Sequence, residues 1–281
     1  MRKLMTLCAL LALATPAAAK APRAAVPPGA RYVAMGSSFA AGAGIGPPKP
    51  GTPARCGRTV NNYASLLSAR LRLKLDDVTC GGATTAHILG RWNELPPQID
   101  AVNADTRLVT ITIGGNDLNY AGNLIMAGCD PTQGMQFQGQ TFSCRPLKMP
   151  DEAAYAGLET RLREIATQVR SRAPKARLVF VEYVRLVPSK PCPAAGLAPD
   201  KAAALQTVGQ RLAAITARVA RQSGAMLLAT DRLSAGHTVC DREPWASGHP
   251  TNPPAPSAPW HPTAAGHRAI AAELARMLGK A

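Results

Sequence analysis

Ser38 lies in the segment Gly36-Ser37-Ser38-Phe39-Ala40-Ala41-Gly42, directly after the apolar run Arg31-Tyr32-Val33-Ala34-Met35. A serine hydroxyl is a weak nucleophile by itself, but an imidazole within hydrogen-bond reach can take its proton as the oxygen attacks a carbonyl. The flanking glycines permit a sharp turn, and the backbone N–H of Ser38 can then face the oxyanion that forms. Two more segments offer donors to the same oxyanion. Gly81-Gly82-Ala83-Thr84-Thr85 offers the N–H of Gly82, and Gly114-Gly115-Asn116-Asp117 offers the side-chain amide of Asn116. Trp260-His261-Pro262 supplies an imidazole just ahead of a helical stretch. Singly, each has an ordinary explanation: a turn serine, a tight-turn glycine, an Asn or Asp capping a helix, a loop histidine. Their order and placement together point to acyl transfer.

Those segments need elements to hold them. Arg31 to Met35 reads as a strand, as do Leu75 to Thr79, Arg107 to Ile113, Ala176 to Glu182 and Ala225 to Thr230. The run through Val109, Ile111 and Ile113 is nearly continuous in apolar character, as buried parallel strands are. Asn61 to Arg72 reads as a helix, and so do the stretches carrying Leu158, Leu162, Ile165 and Val169, and Leu205, Val208, Leu212, Ile215 and Val219. A last helix, capped by Thr263, presents Ile270, Leu274, Met277 and Leu278. Residues 127–150 and 231–259 read as loops. Strands alternating with helices imply a parallel sheet covered on both faces. In such a sheet ligands sit beyond the carboxyl ends of the strands, where the first three segments fall.

Composition narrows the function classes. Of 281 residues, 46% are hydrophobic and 17% charged, enough apolar material for a buried core. The net charge of +15 invites a nucleic-acid partner. Its basic residues are nonetheless scattered, without a run of five, and only 4% of residues are aromatic, so a base-stacking platform is poorly supplied. We expect no nucleic-acid partner, and a basic surface with room for transient contact with a membrane or other anionic surface. Arg2 and Lys3, the apolar run Leu4 to Ala14 and Ala17-Ala18-Ala19 read as a secretory signal over residues 1–19, cleaved near Ala19. Residues 20–30 form a flexible lead-in, and 31–281 a single domain. Cleavage removes Cys8 and leaves Cys56, Cys80, Cys129, Cys144, Cys192 and Cys240, an even set that suggests disulfides in an exported protein. Six cysteines allow 15 connectivities, of which the sequential one closes three uncrossed local loops. No C-x-x-C or H-x-x-x-H spacing supports a metal site, and no cofactor is expected.

The four segments resemble the SGNH, or GDSL-type, hydrolase family over essentially the whole mature chain, from Gly36 to Gly266. Gly-Ser-Ser-x-x-x-Gly matches the family's first block, Gly82 the second, Gly-x-Asn-Asp at Asn116 the third and His261 the last. Cys-Gly-Gly-Ala-Thr-Thr, Trp-His-Pro and the spaced cysteines are most similar to its secreted actinobacterial lipase and esterase branch. The resemblance implies a flavodoxin-like three-layer α/β/α sandwich and hydrolysis of carboxylic esters through an acyl-Ser38 intermediate. His261 is then the base, and Ser38, Gly82 and Asn116 form the oxyanion hole. It also implies the disulfides Cys56–Cys80, Cys129–Cys144 and Cys192–Cys240. Two positions depart from the pattern. Ser37 stands where the family usually has Asp, and Ala258 stands where the triad acid usually lies. A main-chain carbonyl near Trp260 or Ser257 is therefore expected to orient the ring, as in the branch this chain most resembles.

The expected protein is a monomer acting on an acyl lipid, an acetylated sugar or a small ester. Rival readings fare less well. G-x-S-x-G fails at Ala40, and the glycines at 42, 44 and 46 are followed by Pro47-Pro48, which obstructs a dinucleotide-binding helix. The main alternative is a catalytically impaired protein of the same fold that binds carbohydrate or lipid, suggested by the missing acid and opposed by the presence of Ser38, Gly82, Asn116 and His261.

Overall fold

The computed structural model describes residues 25–137, 140–190, 192–250 and 257–279. The leader expected over 1–19 lies outside the described residues, as do residues 20–24 of the lead-in. In chain order the elements are β1 (Arg31–Gly36), α1 (Ser38–Ala41), α2 (Tyr63–Leu71), β2 (Lys74–Asp77), α3 (Thr85–Leu89), β3 (Thr106–Thr112) and α4 (Tyr120–Ala127). Then follow β4 (Met135–Phe137), β5 (Gln140–Phe142), α5 (Glu152–Arg172), β6 (Arg177–Val181), α6 (Pro199–Gln222), β7 (Met226–Leu228), α7 (Thr230–Leu233) and α8 (Ala264–Gly279).

Five strands form one sheet in the order β2-β1-β3-β6-β7, all parallel. β1 and β3 are its centre. Val33, Ala34 and Met35 of β1 and Leu108 and Val109 of β3 are fully enclosed, as the unbroken apolar pattern requires. Packing α2 against α8 covers one face, and α3, α5 and α6 cover the other, so the chain is a three-layer α/β/α sandwich. α5 shows why these segments are helical. Asp151 accepts the N–H of Ala154 at its start, Arg170 and Arg172 favour its carbonyl end, and Tyr155, Leu158, Leu162, Ile165 and Val169 share the buried side. Burying each such side chain contributes roughly 1.5–3 kcal/mol.

The strand order places the site. From β1 the chain passes to β2 on one side and returns to β3 on the other, so the path reverses between β1 and β3. Loops leaving the two carboxyl ends diverge there and open a crevice. Ser38 follows β1, and Asn116 follows β3. Two loop expectations need amending. Residues 127–150 contain the antiparallel hairpin β4–β5, and the short helix α7 occupies the start of 231–259. Both are short and lack the periodicity that marks a long element.

Candidate active site

Ser38 opens α1, a four-residue helix ended by Gly42 in the left-handed conformation. Ser37, just before it, donates its N–H to Thr112 O at 3.1 Å, which holds the turn against the end of β3. Gln98 grips Gly36 on both sides: its Oε1 accepts the Gly36 N–H at 2.8 Å, and its Nε2 donates to Gly36 O at 3.1 Å. The same carbonyl accepts the Cys80 N–H at 3.0 Å, tying the Gly82 segment to the serine turn. A disulfide joins Cys56 to Cys80, and the Gly81 N–H donates to Cys56 O at 2.8 Å. The other bridges link Cys129 to Cys144 and Cys192 to Cys240.

Across the crevice, His261 Nε2 lies 2.8 Å from Ser38 Oγ, and its Nδ1 lies 2.7 Å from the main-chain carbonyl of Pro259. A carbonyl can only accept, so Nδ1 carries the ring proton and Nε2 presents its lone pair to the serine hydroxyl. Burial holds the imidazole below the ordinary histidine value of 6.5, opposed in smaller measure by the bond to Pro259. Neutral imidazole is the form a base needs. The orienting group is thus a main-chain carbonyl next to Trp260, that of Pro259, and not the carbonyl of Trp260 or of Ser257 itself. Trp260 sits at φ 57, a left-handed conformation that reverses the chain and folds the Pro259 carbonyl back onto the ring two residues on. Trp260 spends its N–H on Gly248 O at 3.0 Å, and Ser257 meets the His261 main-chain carbonyl through its hydroxyl at 3.4 Å. Asp231 is paired with Arg185, and Asp241 accepts from Thr238, so neither acid serves the histidine.

The three expected donor positions lie on segments that bond to one another, Cys80 to Gly36 and Asn116 to Ala83. Among the described residues the N–H groups of Ser38 and Gly82 have no acceptor. Gly82 is at φ 79, which a side chain would strain, and faces solvent. Asn116 donates one Nδ2 hydrogen to Ala83 O at 2.9 Å, fixing the amide plane beside Gly82 and leaving its second hydrogen available. Next to it Asp117, with its side chain 2% exposed, accepts the Thr85 N–H at 3.0 Å and the Thr85 hydroxyl, and pairs with Arg161 at 3.2 Å. Asp117 therefore caps α3 from across the crevice. Asp117 was legible only as one of two candidate caps, and nothing in the sequence marks Gln98. Of the other histidines, His267 is fully buried, with Nδ1 accepting the Tyr63 N–H at 3.0 Å and burial driving it down to about 3. Among the described residues no three His, Cys, Asp or Glu side chains converge as a metal site.

The structure thus sets a serine hydroxyl against the unprotonated nitrogen of a buried imidazole. A profile of the GDSL-like lipase/acylhydrolase family matches residues 34–269. "Lipase 2" of Streptomyces coelicolor is 33% identical over 278 residues, covering 94% of this chain and 91% of that protein. The crystal structure of phospholipase A1 from Streptomyces albidoflavus superposes with a TM-score of 0.70 at 25% identity, covering 89% of this chain and 99% of that one. The extracellular lipase of Streptomyces rimosus gives 0.69 at 26% identity, with the same coverage of 89% and 99%.

Proposed function

Since the chain belongs to the GDSL-like lipase/acylhydrolase family and is a carboxylic ester hydrolase of its actinobacterial branch, we propose that it works through an acyl-Ser38 intermediate on the ester bonds of acyl lipids. His261 Nε2 takes the Ser38 proton as Oγ attacks the ester carbonyl. The N–H groups of Ser38 and Gly82 and the free Asn116 Nδ2 hydrogen receive the oxyanion, each such donor contributing roughly 2.7–4 kcal/mol to the transition state. The imidazolium returns its proton to the leaving alcohol. The imidazole then takes a proton from water, which attacks the acyl-serine, and passes it to Ser38 Oγ as the acid is freed. The Pro259 carbonyl stabilises the N–H tautomer throughout without itself carrying charge. The observation that carries this reading is the 2.8 Å contact between Ser38 Oγ and His261 Nε2, with Nδ1 already committed to Pro259.

Acyl lipids are favoured among the esters by a surface as well as by the relatives. A groove of about 360 Å³ runs between α4, the helix after Asn116, and the disulfide-closed loop, and is lined by Ile125, Met126, Met135, Phe142, Arg145 and Lys148. Phe142 and Met149 are exposed on the same loop, at 37% and 43%. Apolar side chains beside two basic ones suit contact with an anionic lipid surface. Export through the leader at 1–19 completes the reading, supported by the three disulfides.

The test is hydrolysis of p-nitrophenyl esters from acetyl to palmitoyl by the mature protein and by Ser38→Ala. Turnover that disappears in the variant supports the acyl-serine route, and a preference for long chains that Phe142→Ser/Met149→Ser weakens supports the lipid assignment. Retained turnover in Ser38→Ala contradicts the mechanism. Absent turnover by folded, oxidised protein favours the binding-protein alternative.

A further inference from the structure

Tyr183 follows β6 and belongs to none of the four motif segments, yet it touches two of them and reaches a third. Its hydroxyl oxygen accepts the Gly115 N–H at 3.0 Å and lies 3.1 Å from Ser37 Oγ. A phenol has one proton. Either hydroxyl can donate in the contact with Ser37, and in both arrangements the Tyr183 oxygen links the Gly115 N–H to Ser37 Oγ. Ser37 is fully buried, and Tyr183 nearly so. The Tyr183 ring packs on Phe39 with centroids 4.3 Å apart, and the Phe39 ring in turn lies 4.5 Å from that of His261. The fit against the Asn116 loop is close: a Cβ on Gly115 would stand 2.7 Å from both Cε1 and the hydroxyl oxygen of Tyr183.

Ser37 immediately precedes the Ser38 N–H donor, and Gly115 immediately precedes the Asn116 donor. Two donors that must meet one oxygen sit on loops from different strands, and the Tyr183 hydroxyl is the side-chain group that bonds to both. We propose that Tyr183 is a positioning residue for the oxyanion hole, setting the nucleophile turn against the Asn116 loop through Ser37 and Gly115. The inference rests on the acyl-Ser38 reading given above. Burial supports it by holding the phenol up at about 12, so that the bridging hydroxyl stays protonated and neutral throughout the range in which an esterase works. Because the bridge sets spacing and does not touch substrate, its loss should be felt where charge develops. A displacement of about 1 Å in such a site costs on the order of 100-fold in rate.

Tyr183→Phe removes the hydroxyl and keeps the ring against Phe39. The expected result on p-nitrophenyl acetate is a fall in kcat of roughly 10- to 100-fold, with KM within about twofold and the acid limb of the pH profile in place. Ser37→Ala, which cuts the same bridge at its other end and leaves the phenol intact, should lower kcat in the same direction. The double variant should be scarcely worse than the more damaged single one, because both break one connection. A lowered melting temperature with kcat unchanged in the single variants would overturn the proposal and leave Tyr183 a packing residue, and so would fully additive losses. Should Tyr183→Phe fail to fold, the kcat of Ser37→Ala decides alone. These outcomes are separable from failure of the underlying mechanism, which shows instead as turnover surviving in Ser38→Ala.

Discussion

The two walls of the crevice depend on side chains to different degrees. On the nucleophile and oxyanion side, main-chain bonds such as Ser37 N–H to Thr112 O are joined by specific side chains: Gln98 on Gly36, Asp117 on Thr85 and Arg161, and Asn116 on Ala83. On the base side the chain holds itself largely through main-chain groups. Ala258 N–H donates to Ala43 O at 3.1 Å, Ser247 N–H to His261 O at 2.9 Å, and the Pro259 carbonyl orients the ring, with the Ser247 hydroxyl adding a bond to Ala258 O at 2.7 Å. A backbone carbonyl is present whatever residue bears it. The base side can therefore lack the usual acid at 258, whereas the oxyanion side depends on particular side chains whose loss strands buried partners.

The contrast fixes where substitution should hurt. The largest effect is expected from Asp117→Ala, which leaves the Thr85 N–H and hydroxyl without their carboxylate and Arg161 with only its bond to the Thr85 hydroxyl. Stability should fall by about 2 kcal/mol, chiefly because buried Thr85 donors lose their acceptor while the half-exposed Arg161 adds little, with kcat also reduced; thermal unfolding and ester turnover read the two effects. An effect below 1 kcal/mol would erase the distinction between the walls. Next in size is the pH response. Because burial lowers His261, the base stays neutral until the pH falls below the ordinary value of 6.5, and activity is then lost as the ring gains a proton. The acid limb of kcat/KM should accordingly have its midpoint below pH 6.5; a midpoint above that value would place an unseen anion beside the ring. The smallest effect is expected from Ala258→Asp. Pro259 already takes the only Nδ1 proton, so adding the usual acid should change kcat by less than about threefold. A tenfold gain would show that the carbonyl is a poor substitute.

Much of this was legible in the sequence because the strongest signals were long. The β-branched run through Val109 and Ile111 and the stripes of α5 and α6 recur over enough residues to fix element type, and their alternation fixes the layered class. Ser38, Gly82, Asn116 and His261 were visible because each ends or begins such an element within a specific motif. What escaped was local or distant. The β4–β5 hairpin is three residues a side, and α7 is four residues long. A carbonyl carries no side-chain signature, so its kind could be inferred but its owner, Pro259, depended on the left-handed turn at Trp260. Tyr183 and Gln98 reach the serine turn from 146 and 62 residues away, a separation that only the sheet order closes. In a parallel sheet with β6 beside β3, the residue after β6 is a neighbour of the Asn116 loop, and that was the one hint at Tyr183.

The most direct test is covalent. Mature protein treated with a fluorophosphonate should carry one adduct, located by peptide mapping on Ser38, and His261→Ala should slow its formation by several orders of magnitude while the fold persists. Labelling of Ser37 or of any other residue, or undiminished labelling of Ser38 in the His261→Ala variant, would contradict a Ser38 nucleophile activated by His261.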